Sequence, residues 1–60
     1  MDTPYFIDYV SGVDSNNQFY SYFVLVRRKD DAYLYANESL TNVELHCWHC
    51  GIPSGAVSYA

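Results

Sequence analysis

The chain has 60 residues, half of them hydrophobic and 18% aromatic, with a formal net charge of −4. This length predicts one compact domain over residues 1–60, and a domain of this size buries only about 60% of its unfolded surface. The aromatic content argues against intrinsic disorder. No apolar run approaches the ~20 residues of a membrane span, and no basic segment followed by an apolar one marks a secretory signal. We therefore expect a soluble cytoplasmic protein that does not contact a membrane.

The charges are distributed unevenly along the chain. The only basic residues are consecutive, at Arg27, Arg28 and Lys29, and acidic side chains lie on both sides of them. Affinity for nucleic acid grows with the number of Lys and Arg contacts to phosphates, so direct nucleic-acid binding is disfavoured. A protein partner with a basic cleft is favoured, because complementary fields steer association. The alternative is that mild acidity only keeps the protein soluble.

Three strands are predicted in the first 36 residues. Alternating β-rich residues predict a first strand at Tyr5–Val10, and turn-forming residues predict a loop at Ser11–Gln18. The strongest strand signal is Phe19–Arg28, which is dense in aromatic and β-branched residues. A tight turn around Asp30 leads into a third strand at Ala32–Ala36. Because this connection is short, the second and third strands should form a hairpin.

A short helix, at about Asn42–Cys50, is predicted to follow. Thr41 and Glu44 have the spacing of a capping box, in which both side chains satisfy backbone N–H groups at a helix start. Leu40 and Leu45 have the positions of the matching hydrophobic staple.

The predicted helix ends with equally specific signals. Gly51 should adopt the left-handed conformation, Ile52 should seal the end, and Pro53 prevents continuation. A last strand is predicted at Ala56–Tyr59. The expected fold is therefore α+β, a small antiparallel sheet in β-β-β-α-β order with one short helix packed on one face.

Strand alternation assigns the two faces of this sheet. Phe23 and Leu25 share the side of Phe19, whereas the other side of that strand carries Tyr20, Tyr22, Val24 and Val26. In the third strand we expect the apolar set around Leu34 to seat the helix and Tyr33 and Tyr35 to lie opposite. The inward helix residues are either Leu45 with Trp48, or Val43 with Cys47 and Cys50.

One face of the sheet should then be open and rich in tyrosine. Tyrosine suits interfaces because its ring is apolar and its hydroxyl tolerates water. The alternatives are that these rings roof the sheet or pack in a homodimer. The predicted partner-binding residues combine this face with acidic side chains: Asp8, Asp14, Tyr20, Tyr22, Tyr33, Tyr35, Glu38 and Glu44.

The segment His46-Cys47-Trp48-His49-Cys50 holds every Cys and His of the chain. A redox Cys-x-x-Cys pair needs its first thiol near a helix N-terminus, and here the pair falls in the last turn. A structural zinc ion takes four ligands from separated segments. We therefore expect core thiols, no metal and no cofactor. A zinc site shared across a dimer, drawing on Cys47, Cys50, His46 and His49, remains an alternative.

No catalytic arrangement is recognisable. The serines lack a nucleophile motif, and neither histidine has a motif that links it to one. The three glycines are too dispersed for a phosphate-binding loop. We therefore interpret the chain as a non-enzyme that presents a binding surface.

The C-terminal half resembles a known family. The run Tyr35-Ala36, then Glu44-Leu45-x-x-Trp48, then Ile52-Pro53-x-Gly55 before a final strand is similar to the small RNA polymerase inhibitor of lytic podophages. The resemblance covers about 20 residues and implies an acidic α+β domain that docks on the β′ jaw, within the DNA-binding channel, and blocks promoter opening. It also implies a phage protein that acts in the host cytoplasm during host takeover.

The likeness is incomplete at one functional point. The family places important arginines on the strand after the helix, and residues 56–60 of this chain carry no basic side chain. Those roles cannot be transferred. Transcription inhibition by binding host RNA polymerase is thus the leading hypothesis. Inhibition of a host DNA-processing or defence enzyme through mimicry of DNA charge, and a zinc-linked dimeric structural protein, are the alternatives.

Overall fold

The computed structural model describes residues 2–60, so only Met1 of the predicted domain lies outside it. The elements are β1 (Tyr5–Val13), β2 (Phe19–Arg27), β3 (Ala32–Asn37), α1 (Leu40–His49), a single 3₁₀ turn (Ser54–Ala56) and β4 (Val57–Tyr59). The predicted α+β class and β-β-β-α-β order are confirmed.

The four strands form one sheet in the spatial order β3-β2-β1-β4. β1 pairs with β2 and β2 with β3 in antiparallel fashion, but β4 pairs with β1 in parallel. The sheet is therefore mixed, whereas a wholly antiparallel sheet was expected. The helix explains the difference. It returns the chain to the end from which β3 starts, so β4 runs in the direction of β3 and hence of β1.

The β1–β2 hairpin is longer than its neighbours. Both strands have nine residues and pair over their whole length, from Tyr5↔Arg27 to Val13↔Phe19. The first strand thus continues three residues into the loop predicted at Ser11–Gln18, because residues 11–13 pair with β2. β3 pairs only with Phe23–Arg27 and β4 only with Tyr5–Ile7. Residues 10–13 and 19–22 thus form a two-stranded projection, which we call the distal ribbon.

The core lies between α1 and the centre of the sheet. Ile7, Leu25, Val43 and Cys47 are buried there, with Val43 and Leu25 fully enclosed. Val43 and Cys47 are one helical turn apart and share one stripe, so they point inward together. Side chains packed around this cluster are Tyr5, Phe23, Tyr35, Leu40, Ile52 and Val57.

This core selects one of the two predicted helix faces. Val43 and Cys47 point inward, whereas Leu45 and Trp48 are 44% and 73% exposed. The predicted alternative in which Leu45 and Trp48 point inward is therefore wrong. Cys50 was expected to point inward as well, but it lies beyond the last helical residue and is exposed.

The predicted capping box is also wrong. The helix begins at Leu40, so Thr41 is inside it, and the N-cap residue Ser39 makes no side-chain capping bond. Asn37 fixes the approach instead, because its Oδ1 accepts a hydrogen bond from the Ser39 N–H at 2.9 Å. Leu40 packs on the core while Leu45 is exposed, so the predicted staple does not form.

The helix end follows the predicted signals. Gly51 has φ +76°, its N–H donates to the Trp48 carbonyl at 3.1 Å, and the Ile52 N–H donates to the Cys47 carbonyl at 2.9 Å. These two bonds define a Schellman motif, and Ile52 packs against the core as its hydrophobic seal. The motif turns the chain toward β4.

A register shift in β3 changes the predicted faces of its tyrosines. Leu25 pairs with Tyr35 but Val26 pairs with Tyr33, so Leu34 is the extra residue of a bulge. Tyr35 therefore lies on the helix side and contacts the core, while Tyr33 lies beside Val26 on the opposite side. Leu34, the expected seat of the helix, is 38% exposed.

The core predicts unequal effects for two large side chains. Leu25→Ala should lower the free energy of unfolding by about 2–5 kcal/mol, because the cavity is enclosed by the helix and the sheet. Trp48→Ala should change it by about 0.5 kcal/mol or less, because that side chain is mostly exposed. Urea unfolding followed by circular dichroism measures both, and a Trp48→Ala protein that unfolds as readily as Leu25→Ala would contradict this core.

Candidate functional site

The sheet face opposite the helix carries several of the predicted binding residues. The register places Asp8 beside Val24, Val10 beside Tyr22, and Gly12 beside Tyr20, all on this side. Val24 and Val26 are 0% and 2% exposed, so the centre of the face is closed by its neighbours. The accessible part lies toward the distal ribbon. We call the surface formed by Asp8, Val10, Tyr20 and Tyr22 the open face.

Tyr20 and Tyr22 form the aromatic part of the open face. Their ring centroids are 6.2 Å apart and the ring planes differ by 23°. A Cβ on Gly12 would come within 2.6 Å of the Tyr20 hydroxyl oxygen, so the glycine makes room for that ring across the strand pair. Tyr20 is 41% exposed and thus available for contact.

Two acidic residues, one on the open face and one in the loop beyond it, are both oriented by backbone groups. Asp8 Oδ1 accepts a hydrogen bond from the Tyr9 N–H at 2.8 Å. In the β1–β2 loop, Asp14 Oδ1 accepts from the N–H groups of Asn16 and Gln18 at 2.8 and 2.9 Å. Asp14 therefore orders the hairpin loop in addition to carrying charge.

The remaining predicted binding residues lie elsewhere. Tyr33 is 66% exposed on the same sheet side, but it pairs with Val26, which is six residues or about 20 Å along β2 from Tyr20. Tyr35 lies on the helix side, where its ring stacks on His46 with centroids 4.0 Å apart. Glu38 is exposed between β3 and α1. The predicted set is thus not one continuous surface.

Sequence reasoning missed a groove between α1 and β4. Its volume is about 320 Å³, and its lining is mostly apolar. The exposed Trp48 and Tyr59 are part of it, and the Tyr59 hydroxyl donates a hydrogen bond to Glu44 Oε2. Glu44 and Trp48 are four residues apart and so share one helix flank. That spacing was the available signal, but the partner strand could not be identified without the parallel pairing of β4.

The cations are used mainly inside the fold. Arg27 binds Asp30 through two hydrogen bonds, of 3.0 and 2.7 Å, which lower the pKa of Asp30 to about 2. Arg28 donates to the Thr3 carbonyl at 2.7 Å and to Ser58 Oγ at 3.0 Å, and its guanidinium lies 4.7 Å from the Phe6 ring centroid. Within residues 2–60, the Arg27–Asp30 contact is the one ion pair.

The Cys and His cluster is divided by the helix. Cys47 is in the core, and burial raises the pKa of its thiol. Cys50 is exposed, and its Sγ is 3.5 Å from His46 Nε2. His49 lies instead near Trp48, with ring centroids 5.8 Å apart. Over residues 2–60, no three His, Cys, Asp or Glu side chains of one chain converge on a possible metal position.

Comparison with known proteins gives no relative for this arrangement. No family model, curated protein or solved structure matches the chain. Among residues 2–60, no helix has the length and apolar character that crossing a bilayer requires.

The Tyr59–Glu44 contact predicts a measurable titration. The hydrogen bond to the Glu44 carboxylate raises the pKa of Tyr59 above its usual value of 10, because the neutral phenol is the donor. The contact is therefore fully formed below pH 10 and is lost as the pH rises through the elevated pKa of Tyr59. Glu44→Gln should return that pKa toward 10, as followed by NMR of the Tyr59 ring.

Glu38→Gln is the matched control for this titration, because it removes the same charge from an exposed position outside the groove. An equal pKa of Tyr59 in the Glu44→Gln and wild-type proteins would contradict the contact between the Tyr59 hydroxyl and the Glu44 carboxylate.

Proposed function

We propose that this chain is a small acidic inhibitor that binds the basic cleft of a host enzyme, with bacterial RNA polymerase as the first target to test. The observation that carries the proposal is the imbalance of charges in the fold. Of seven carboxylates, Asp30 alone is ion-paired among residues 2–60, while Arg27 and Arg28 are held by intramolecular contacts. A basic partner thus meets six carboxylates that no ion pair among residues 2–60 neutralises.

The distal ribbon supports this proposal through its shape and composition. It has no flanking strand, and an isolated two-stranded hairpin is marginally stable in water. Yet it carries apolar side chains that water solvates poorly, with Val13 60% and Phe19 71% exposed. A narrow projection with aromatic side chains on both faces and Asp14 at its tip suits insertion into a cleft.

The choice of RNA polymerase rests on the resemblance in the C-terminal half. The channel that holds DNA in such an enzyme must present positive charge, which fits the unpaired carboxylates. Because residues 56–60 lack the arginines of the similar inhibitors, contact on this chain is assigned to the distal ribbon and the open face. Inhibition then follows from steric and electrostatic exclusion of DNA.

The charge part of the mechanism predicts altered association kinetics. The double substitution Asp8→Asn and Asp14→Asn should slow binding to purified RNA polymerase several-fold and flatten its salt dependence, because charge mainly steers encounter. Asparagine retains Oδ1, so the backbone contacts of both residues persist. Association rates are measured by surface plasmon resonance at several salt concentrations.

A matched control removes two charges at the opposite end of the molecule, through Asp2→Asn and Asp31→Asn. Asparagine also suits the positive φ of 55° at Asp31. If both double variants slow association equally, net charge alone is responsible and the assignment to the distal ribbon is wrong.

Direct contact between Tyr20 and the partner predicts an effect on dissociation rather than on association. Tyr20→Ala should accelerate dissociation and cost about 2 kcal/mol or more in binding free energy, as expected for a central aromatic anchor. Tyr33→Ala should have little effect, because Tyr33 lies about 20 Å from Tyr20 along the strand direction. The reverse order of effects would move the site to the β3 end of the sheet.

The order in which the inhibitor and promoter DNA are added to RNA polymerase tests whether the DNA channel is the binding site. An inhibitor that occupies the DNA channel should suppress transcription when added before promoter DNA and lose effect on preformed open complexes.

Absence of binding to RNA polymerase, combined with competition against duplex DNA on a host nuclease or glycosylase, would favour the second candidate, an inhibitor that mimics DNA charge. The six unpaired carboxylates favour that candidate equally.

A further inference from the structure

We propose that His46 and Cys50 form half of a zinc site, which the same two residues of a second copy complete. The two residues are one helical turn apart, with His46 in the last turn of α1 and Cys50 at its C-cap. This pairing differs from the Cys-x-x-Cys arrangement suggested by the sequence, because the helix directs Cys47 into the core.

The separation of the two donor atoms fits a tetrahedral zinc ion. Zinc binds imidazole nitrogen at about 2.0–2.1 Å and thiolate sulfur at about 2.3 Å, so a tetrahedral angle places the two donors about 3.5 Å apart. His46 Nε2 and Cys50 Sγ are 3.5 Å apart. The spacing of the two donors therefore matches that of one shared ion, which would replace the present hydrogen bond between the thiol and the imidazole.

The imidazole of His46 is also held in place. Its ring stacks on Tyr35 with a centroid distance of 4.0 Å and an angle of 3° between the planes. A fixed ring loses less conformational entropy when it binds a metal. Cys50 is exposed, so an incoming ion reaches its thiol directly.

The ligand count requires a second copy. A structural zinc ion takes four ligands, and one chain supplies two, because Cys47 is buried and the ring of His49 lies beside Trp48. A twofold-related copy presents the same pair, and twofold dimers are the commonest symmetric assembly. Two thiolates, one from each copy, would balance the charge of Zn²⁺. Neither ligand belongs to the distal ribbon, so this inference does not depend on the proposed function.

The test is zinc titration of the reduced protein, followed by calorimetry and sedimentation equilibrium. We expect one zinc ion per two chains, a shift from monomer to dimer on adding zinc, and reversal by a chelator. Cobalt substitution should give the absorption bands of a tetrahedral, thiolate-bound ion. Zinc bound by a monomer, a disulfide-dependent dimer, or no zinc binding would overturn the proposal.

Single substitutions distinguish the two zinc ligands from the neighbouring histidine. Cys50→Ser and His46→Ala should each weaken zinc-dependent dimerisation more than about 100-fold, since even the loss of a residue that only supports a ligand costs about 10–100-fold. His49→Ala is the matched control and should leave both affinity and stoichiometry unchanged. Because Cys50 is exposed, its serine variant should fold normally, as circular dichroism verifies. Equal zinc affinity in Cys50→Ser and wild type would contradict the site.

Discussion

The packing of one helix against the centre of the sheet is the contact on which the rest of this small protein depends. Val43 and Cys47 of α1 close over Ile7 and Leu25, and no other element covers that side of the sheet within residues 2–60. The Schellman motif at Gly51 then places Ile52 against the same cluster and directs the chain toward β4. The helix–sheet packing and the parallel pairing of β4 with β1 are therefore parts of one arrangement.

The length of the helix explains why half of the hairpin is left uncovered. A helix of ten residues is about 15 Å long, whereas the nine-residue strands β1 and β2 extend over about 30 Å. One helix can seal only one half of such a hairpin. The other half becomes the distal ribbon, with Phe19 on the same sheet side as Leu25 but beyond the reach of α1. The exposed aromatic surface thus follows from a mismatch in length between two elements.

Local signals in the sequence predicted local structure well and long-range placement less well. The turn around Asp30, the Gly51-Ile52 helix end and the approximate positions of the strands depend on neighbouring residues and were predictable. The end of β1 was not, since residues 11–13 extend as a strand only through their pairing with β2. The helix start was not, because Asn37 substitutes for the Thr41–Glu44 box, and Glu44 interacts with Tyr59, fifteen residues away. A pattern within four residues carries no information about that competing partner.

The division of the predicted binding residues has a similar cause. Strict alternation places Tyr33 and Tyr35 on one side, but a single bulged residue, Leu34, sends them to opposite sides. The expected tyrosine face therefore loses Tyr35 to the core, where that ring positions His46. The alternation in β1 and β2 has no such interruption, so the set of Asp8, Tyr20 and Tyr22 was predictable from sequence.

The intramolecular contacts of Arg27 and Arg28 make the surface that a partner meets more acidic than the net charge of −4 suggests. Arg28 links the Thr3 carbonyl to Ser58 of β4 and covers Phe6, so its charge is committed to joining the N-terminal segment, β2 and β4. Arg27 is committed to the β2–β3 turn through Asp30. Replacing Arg28 would therefore loosen the corner of the sheet and would be a poor probe of binding. Both arginines are engaged at the end opposite the distal ribbon, where Asp2, Asp30 and Asp31 also lie. The ribbon and the loop at Asp14 carry acidic charge and no cation.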